Sequence, residues 1–429
     1  VTYLKLLSGN KNIRLLWLGQ VVSEIGDWLN NVAVLALALN LAGPGRQGIA
    51  IAVYAIARHL PLFLFGPIAG VVVDRAARRR VMIGADIVRA VLALGFLAAD
   101  RYGSLSLIYA VGAGMFSVSA FFNAAKRASV PNLTNGFDEL LSANSLTTST
   151  TAATIAVGSA IGGLIATLGG RNAVFVINAM TFVVSAALIS RIVFPPREPV
   201  IRILPATTKT RLRALVARSF DDFRQGLAYV RRDRLLTLIF MVAGGWGLGN
   251  GTARALYSIF GSRLGIAAAS GRITNASEFG IAVLFVAMGF GGVLGAALAR
   301  RMGRTRSLAA RVGRSLLLDG LSLVAFSLMP NLWTAAAILI VRDVNYAMWW
   351  TSQQTLLMGR TKDQFAGRVF ASFETVVTLA MVASMITSGL AADRFGISRV
   401  PAVGGLLIIL SGVVWVIFSR RHEAEKAAA

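Results

Sequence analysis

The sequence predicts an all-α polytopic membrane protein of twelve transmembrane helices arranged as two six-helix halves. Three observations carry that prediction. Apolar residues make up 56% of the 429-residue chain, and they gather into runs of membrane-spanning length. Most Arg and Lys residues fall between those runs, chiefly on one side. One long polar segment, Pro195 to Arg234, divides the chain nearly in half. A helix needs about 20 apolar residues to cross roughly 30 Å of hydrocarbon, and no soluble domain needs so many such runs.

In chain order, the first half contains apolar runs at 13–42, 49–73, 81–99, 105–125, 141–168 and 173–194. The second contains runs at 235–260, 279–299, 308–328, 332–358, 369–392 and 400–418. The first run is too long for a secretory signal and lacks a cleavage-site flank, so it reads as a true helix. The expected divisions are an N-terminal half over 1–194, a cytoplasmic linker over 195–234, a C-terminal half over 235–419 and a cytoplasmic tail over 420–429.

Charge sets the orientation. Lys5 and Lys11 precede the first span, and Arg75, Arg78, Arg79 and Arg80 separate the second from the third. Lys126 and Arg127 follow the fourth, Arg300, Arg301, Arg304 and Arg306 the eighth, and Arg360, Lys362 and Arg368 the tenth. Arg420 and Arg421 follow the last, and the intervening loops are poorer in basic residues. The positive-inside rule then places both termini in the cytoplasm. The formal charge of +24 alternates with spans instead of forming one soluble basic face, so lipid headgroups rather than nucleic acid are its expected partner. With no cysteine and two histidines, His59 and His422, the chain offers no disulfide or thiolate metal site, and no cofactor is expected. No GxxxxGK[ST] run is present, which excludes ATP hydrolysis through a P-loop.

Within the linker, Phe220, Phe223, Leu227 and Val230 share one face at helical spacing, and Ser219 with Asp222 forms a capping box. This predicts an amphipathic helix lying under the bundle or along the inner leaflet. The halves resemble each other: Gly66 and Gly70 run into a basic turn, as do Gly291 and Gly295. Duplicated six-span halves are what alternating-access transporters use around a midplane site.

The strongest local signal is Gly70-Val-Val-Val-Asp74-Arg75-Ala-Ala-Arg78-Arg79 at the inner end of the second span. Gly70 would permit close helix contact, Asp74 would bind neighbouring helices in one gate state, and the arginines would anchor the turn. Here the chain resembles the major facilitator superfamily, whose signature loop is G-x-x-x-D-[RK]-x-G-[RK]-[RK]. It departs from that pattern at Ala77, and in the second half at Ala299, where the Asp would fall. Within the superfamily it is similar to the bacterial exporter branch that includes macrolide and Tap-like multidrug efflux, enterobactin export and lysophospholipid transport. That likeness rests on GQVVSEIGDW at 19–28, on Pro131 and Ala143-Asn144-Ser145-Leu146, and on FRQGLAYVRRDRLL at 223–236. The resemblance implies a working monomer in the bacterial cytoplasmic (inner) membrane. Where drug/proton antiporters of the superfamily often carry G-P-x-x-G-G in the fifth helix, this chain has Gly158-Ser-Ala-Ile-Gly162-Gly163, with glycines for close packing but no proline.

Charges inside spans are costly unless they face a cavity or partner. Glu24 and Asp27, three apart on the first span, are the expected proton-coupling pair, with bracing ion pairs as the competing reading. Arg58 is the expected partner for one of them, and His59 beside it is either a proton shuttle or a structural histidine. Asp86 and Arg89 are expected to pair internally. Arg254 and Glu278 are expected toward the outer, wet side, and Asp319, Arg342, Asp343 and Glu374 deeper. Asn345, Tyr346, Trp349 and Trp350 extend that polar patch into an aromatic edge. The leading functional expectation is export of amphipathic, cationic or neutral small molecules by proton antiport. The alternatives are a lysophospholipid transporter or flippase and a siderophore exporter. An enzyme reading lacks a catalytic constellation.

Overall fold

The computed structural model describes residues 3–194, 221, 223–269, 275–302 and 308–428. It is all-helical among these residues. A short helix α1 (Tyr3–Gly9) precedes α2 (Lys11–Ala42), α3 (Gln47–Arg75), α4 (Arg78–Arg101), α5 (Leu105–Leu133) and α6 (Phe137–Ser190). After the linker come α7 (223–230), α8 (Arg234–Ala269), α9 (Ala276–Arg301) and α10 (Leu308–Ser327). Helices α11 (Leu332–Arg360), α12 (Asp363–Phe395) and α13 (Arg399–Ala428) complete the chain.

Local chemistry sets several of these boundaries. Ser104 accepts the Leu107 N–H at 3.3 Å and caps α5, and Asn331 accepts the Thr334 N–H at 3.0 Å and caps α11. The 54 residues of α6 would reach about 80 Å as one rod at 1.5 Å rise per residue, far beyond a bilayer. Gly170, at φ 76° and ψ 163°, breaks it into two arms. Those arms correspond to the fifth and sixth apolar runs.

Nine helices among the described residues are long and apolar enough to span a membrane, α6 being taken once. The two long helices outside that set are α10 and α11. They carry Arg311, Arg314 and Asp319, and Arg342 and Asp343, which lower their hydropathy. Helix α1 is the element that the hydropathy pattern misses. Its Leu6 is 1% exposed and joins Leu16, Met82, Phe122 and Ile189 in an apolar cluster.

The chain forms two compact units. The first comprises Val1–Leu41 and Ile56–Ala217, and the second Ala42–Ala55 and Arg218–Ala429. The sequence places 42–55 in the first half, so this segment is exchanged relative to a simple division in the linker.

In the first unit, α2 lies against both arms of α6. A Cβ at Gly158 would fall 2.7 Å from Trp28 Cβ, and one at Gly162 would fall 2.5 Å from Leu29 Cα. On the other arm, a Cβ at Gly26 would come 2.7 Å from Asn178 Oδ1. Gly163 is buried, and its carbonyl accepts the Thr167 hydroxyl at 2.6 Å. In the second unit, Gly291 and Gly295 let α9 approach α11, with Ile340 O and Val344 O each 2.5 Å from the Cβ either glycine lacks. The first-half counterparts behave differently. Among the described residues, a Cβ at Gly66 or Gly70 meets nothing within 4 Å, so the expected close helix contact at Gly70 is corrected.

The linker helix α7 docks on the start of α12 within the second unit. Tyr229 stacks on Phe365 at 4.6 Å, and the Ser372 hydroxyl donates to Phe223 O at 3.2 Å. Ser219, Phe220 and Asp222, and with them the capping box, lie outside the described residues. The backbone of the expected tail continues α13 as helix to Ala428.

Candidate functional site

In the first unit, Glu24 and Asp27 have separate partners. Lys126 Nζ lies 3.6 Å from Glu24 Oε1, Gln20 donates to the same oxygen at 2.9 Å, and the Thr154 hydroxyl donates to Oε2 at 3.1 Å. Glu24 is therefore a satisfied, paired carboxylate, the bracing alternative for that residue. Asp27 stands apart: its Oδ2 is 3.9 Å from Arg89, and its side chain is 40% exposed.

Arg89 is the centre of this arrangement. It hydrogen-bonds Asp86 one turn away, a carboxylate with 0% side-chain exposure. Phe122 and Phe182 flank its guanidinium at 4.3 and 4.4 Å from the ring centroids. A cation held between two aromatic faces and a buried carboxylate is fixed in place. Arg58 donates to Asn31 Oδ1 at 2.5 Å and lies over Phe116 at 4.9 Å and Trp28 at 5.6 Å. Neighbouring His59 is half-buried on α3. The carboxylates Glu24, Asp27 and Asp86 thus share one unit with the cations Arg58, Arg89 and Lys126.

At the start of α4, Arg78 donates to Ala128 O and to Asn132 Oδ1, the latter at 2.7 Å, and Arg79 donates to Ile192 O at 3.2 Å. Arg79 thereby satisfies a carbonyl just past the end of α6, where intrahelical donors are lacking, and Arg78 ties α4 to the last turns of α5. The side chains of Asp74 and Arg75 lie outside the described residues.

The second unit holds a buried network. Arg342 Nε is 3.1 Å from Asp319 Oδ1, with side chains 2% and 1% exposed. Arg342 also donates to Tyr257 Oη and to Asn250 Oδ1, each at 2.6 Å, while Trp246 Nε1 donates to Asp319 Oδ2 at 2.8 Å. Trp246 stacks on Tyr346 at 5.1 Å and 9°, and Trp349 and Trp350 extend the aromatic cluster. Trp349 is fully buried, whereas Tyr346 and Trp350 are half-buried and form its accessible edge. Asp343 is buried, with Oδ2 unpartnered among the described residues.

One expectation is corrected here: Glu278 is 2% exposed rather than wet. Glu374 has an exposed side chain on α12. Arg254 is exposed on α8. Among the described residues, no cluster of three or more His, Asp or Glu is arranged to hold a metal ion.

A sequence model described as Major Facilitator Superfamily matches residues 16–385, most of the chain. The chain belongs to the major facilitator superfamily. It is 27% identical over 409 residues to a protein named as a bacilysin exporter, BacE, of Bacillus subtilis (strain 168), covering 93% of this chain and 91% of that protein. It is 22% identical over 403 residues to macrolide efflux protein A of Streptococcus pyogenes, covering 93% and 94%. Among solved structures, the nucleoside transporter NupG superposes with a TM-score of 0.68 at 12% identity, over 95% of this chain and 99% of that one. A POT family transporter complexed with 5-aminolevulinic acid gives a TM-score of 0.69 at 11% identity, over 96% of each. These structural likenesses show the fold. With the family established, the chain is a multi-pass membrane transporter whose relatives are named for efflux.

Sequence reasoning missed Lys126, which reads as a loop residue beside Arg127 but lies inside α5. It also missed the Phe122–Phe182 sandwich and the roles of Trp246, Asn250 and Tyr257. Periodicity offered no signal for these, because each depends on which helices become neighbours.

Proposed function

We propose that this superfamily member exports amphipathic, cationic or neutral small molecules by proton antiport and alternating access. The reading places it in the bacterial cytoplasmic membrane with both termini in the cytoplasm, supported by the basic residues between alternate spans. The names of the relatives support efflux as the direction.

The observation that carries the reading is Asp27. It is the accessible carboxylate of its cluster, and its cation, Arg89, is already held by a second carboxylate, Asp86. Protonating Asp27 therefore does not leave Arg89 orphaned. In this cluster the carboxylates Glu24, Asp27 and Asp86 match the cations Arg58, Arg89 and Lys126 in number, and a single positive charge arriving at Asp27 has the same electrostatic effect whether it is a proton or an organic cation. Occupancy by one disfavours the other, which is what exchange requires. The half-buried faces of Tyr346 and Trp350 supply aromatic surface suited to a lipophilic or cationic cargo.

The test is uptake of a fluorescent lipophilic cation into proteoliposomes, with and without an imposed proton gradient, comparing the parent with Asp27→Asn. Gradient-driven uptake lost in the folded variant supports the reading; gradient-driven uptake that persists in Asp27→Asn removes Asp27 from coupling.

One observation favours a second reading, lysophospholipid movement. A groove of about 440 Å³ opens among α8, α12 and α13, lined by Leu248, Thr252, Ser384, Val403 and Leu407, with Arg399 at its edge. An acyl chain with an anionic headgroup suits that lining. Translocation of a spin-labelled lysolipid, absent for the lipophilic cation, would favour it. The siderophore reading loses support because Arg342 is committed to Asp319, Tyr257 and Asn250.

A further inference from the structure

Asp393, near the end of α12, binds the start of α3. Its Oδ1 accepts the Gly48 N–H and its Oδ2 the Ile49 N–H, both at 2.9 Å. The first N–H groups of a helix lack intrahelical acceptors and carry the positive end of its dipole. A carboxylate bridging two of them makes two charge-assisted hydrogen bonds.

The backbone approach around this pair is close. A Cβ at Gly389, one turn before Asp393, would fall 2.6 Å from Ala52 Cβ and 3.2 Å from the Gly48 carbonyl carbon. A Cβ at Gly48 would fall 2.9 Å from Asp393 Oδ1. Glycine at both positions is what lets the carboxylate reach the helix start. The division of the chain agrees with this contact. Residues 42–55 group with the second unit, while the remainder of α3 groups with the first, although α3 runs unbroken from Gln47 to Arg75.

We propose that Asp393 is a positioning residue for transport, an outer latch that holds the first turns of α3 on α12 and must release for outward opening. This rests on the alternating-access reading and on cytoplasmic termini, which put the start of α3 and the end of α12 on the outer side. No sequence motif marks the residue. Asp393 reads as the first acidic member of an ordinary Asp-Arg helix end, and only the fold brings it to Gly48.

The chain contains no cysteine, so a single introduced thiol reports without background. Ile51 is 3% exposed within the latched segment, and cysteine is smaller, so Ile51→Cys fits the same space. The experiment measures labelling of Ile51→Cys by a membrane-impermeant maleimide from the outside of intact cells, alongside efflux of ethidium. The comparison is among the parent, Asp393→Ala, Asp393→Asn and Gly389→Leu, each checked for monodisperse elution. Asp393→Ala should label at least about tenfold faster, since even one charge-assisted hydrogen bond is worth that factor. Asp393→Asn, which keeps one acceptor oxygen, should fall between. Gly389→Leu should reproduce the effect without touching the carboxylate, and it decides the matter if Asp393→Ala does not fold. Equal labelling in all four overturns the latch. Faster labelling with unchanged ethidium efflux shows a helix cap that does not govern transport, and overturns the positioning role. Faster labelling with slowed efflux supports it. If the parent itself moves no ethidium, the cation-export reading fails while labelling still decides whether the latch exists.

Discussion

Arg342 and Asp319 form an ion pair at 3.1 Å, with both side chains almost wholly removed from solvent. Burial makes each charge expensive alone and acceptable together. Replacing Asp319 by Leu strands the Arg342 guanidinium and should cost about 3–5 kcal/mol. The Asp319→Leu, Arg342→Met double variant should recover much of that loss. Thermal unfolding of detergent-solubilised protein, followed by size-exclusion fluorescence, checks the order. A double variant no more stable than Asp319→Leu would show that the pair is not the main effect.

The two carboxylates of α2 should respond differently to neutralisation. Glu24→Gln leaves Lys126 without its anionic partner and should lower thermal stability, while a proton gradient still drives transport. Asp27→Asn should leave stability nearly unchanged and remove the response to the gradient. Measuring melting temperature and gradient-driven dye uptake for both variants separates bracing from coupling. Reversed phenotypes would assign the coupling role to Glu24.

Glycine substitutions should divide by place rather than by motif. Gly162→Ala drives a Cβ into the α2 backbone at Leu29 and should cost at least about 1–3 kcal/mol. Gly66→Ala and Gly70→Ala enter open space and should be neutral or stabilising by up to about 1 kcal/mol through lower unfolded-state entropy. Expression level and melting temperature of the three variants make the comparison. A severe loss in Gly70→Ala would indicate a contact formed in another conformational state.

The accessible aromatic edge should matter for cargo rather than for folding. Trp350→Ala removes a half-buried ring and should raise the KM for a lipophilic cation roughly tenfold, in line with about 1–2 kcal/mol of cation–π and stacking energy. Trp349→Ala, which empties a fully buried site, should instead cost stability, by about 3–5 kcal/mol. Transport kinetics read beside melting curves test this division. An unchanged KM in Trp350→Ala would place the cargo elsewhere.

Much of the fold was legible because hydropathy is a local property. The apolar runs became α2 to α6 and α8 to α13, with most ends shifted by a few residues and those of α5, α8 and α13 extended further. Gly170 separates two runs that helix geometry alone would join. What hydropathy could not register was α1, whose Leu6 is buried only because the ends of other helices cover it. The runs of α10 and α11 were marked despite buried charges that lower their hydropathy and that partners on other helices make tolerable.

The site was legible as a set of residues and not as a set of pairs. Spacing alone placed Asp86 beside Arg89, because residues three apart on a helix meet. It also put Glu24 beside Asp27 as a coupled pair, yet Lys126 takes the first and Arg89 the second. Arg58 was expected opposite a carboxylate of α2; it donates to Asn31 on that helix and stays close enough to Asp27 to act on its charge. In each case the deciding partner sits on another helix, at a sequence distance no periodicity spans.

By itself, the sequence determined that this chain crosses a membrane many times, in two related halves, with basic residues between alternate spans and a superfamily signature. These follow from burial energy per residue and from charge at the bilayer surface, which act on each segment independently. Tertiary structure alone decided which carboxylate stays accessible, which arginine is consumed by its neighbours, and that residues 42–55 group with the second unit, where Asp393 meets Gly48. Those outcomes depend on distances of 3–4 Å between residues up to 345 positions apart, and such distances exist only once the helices have packed.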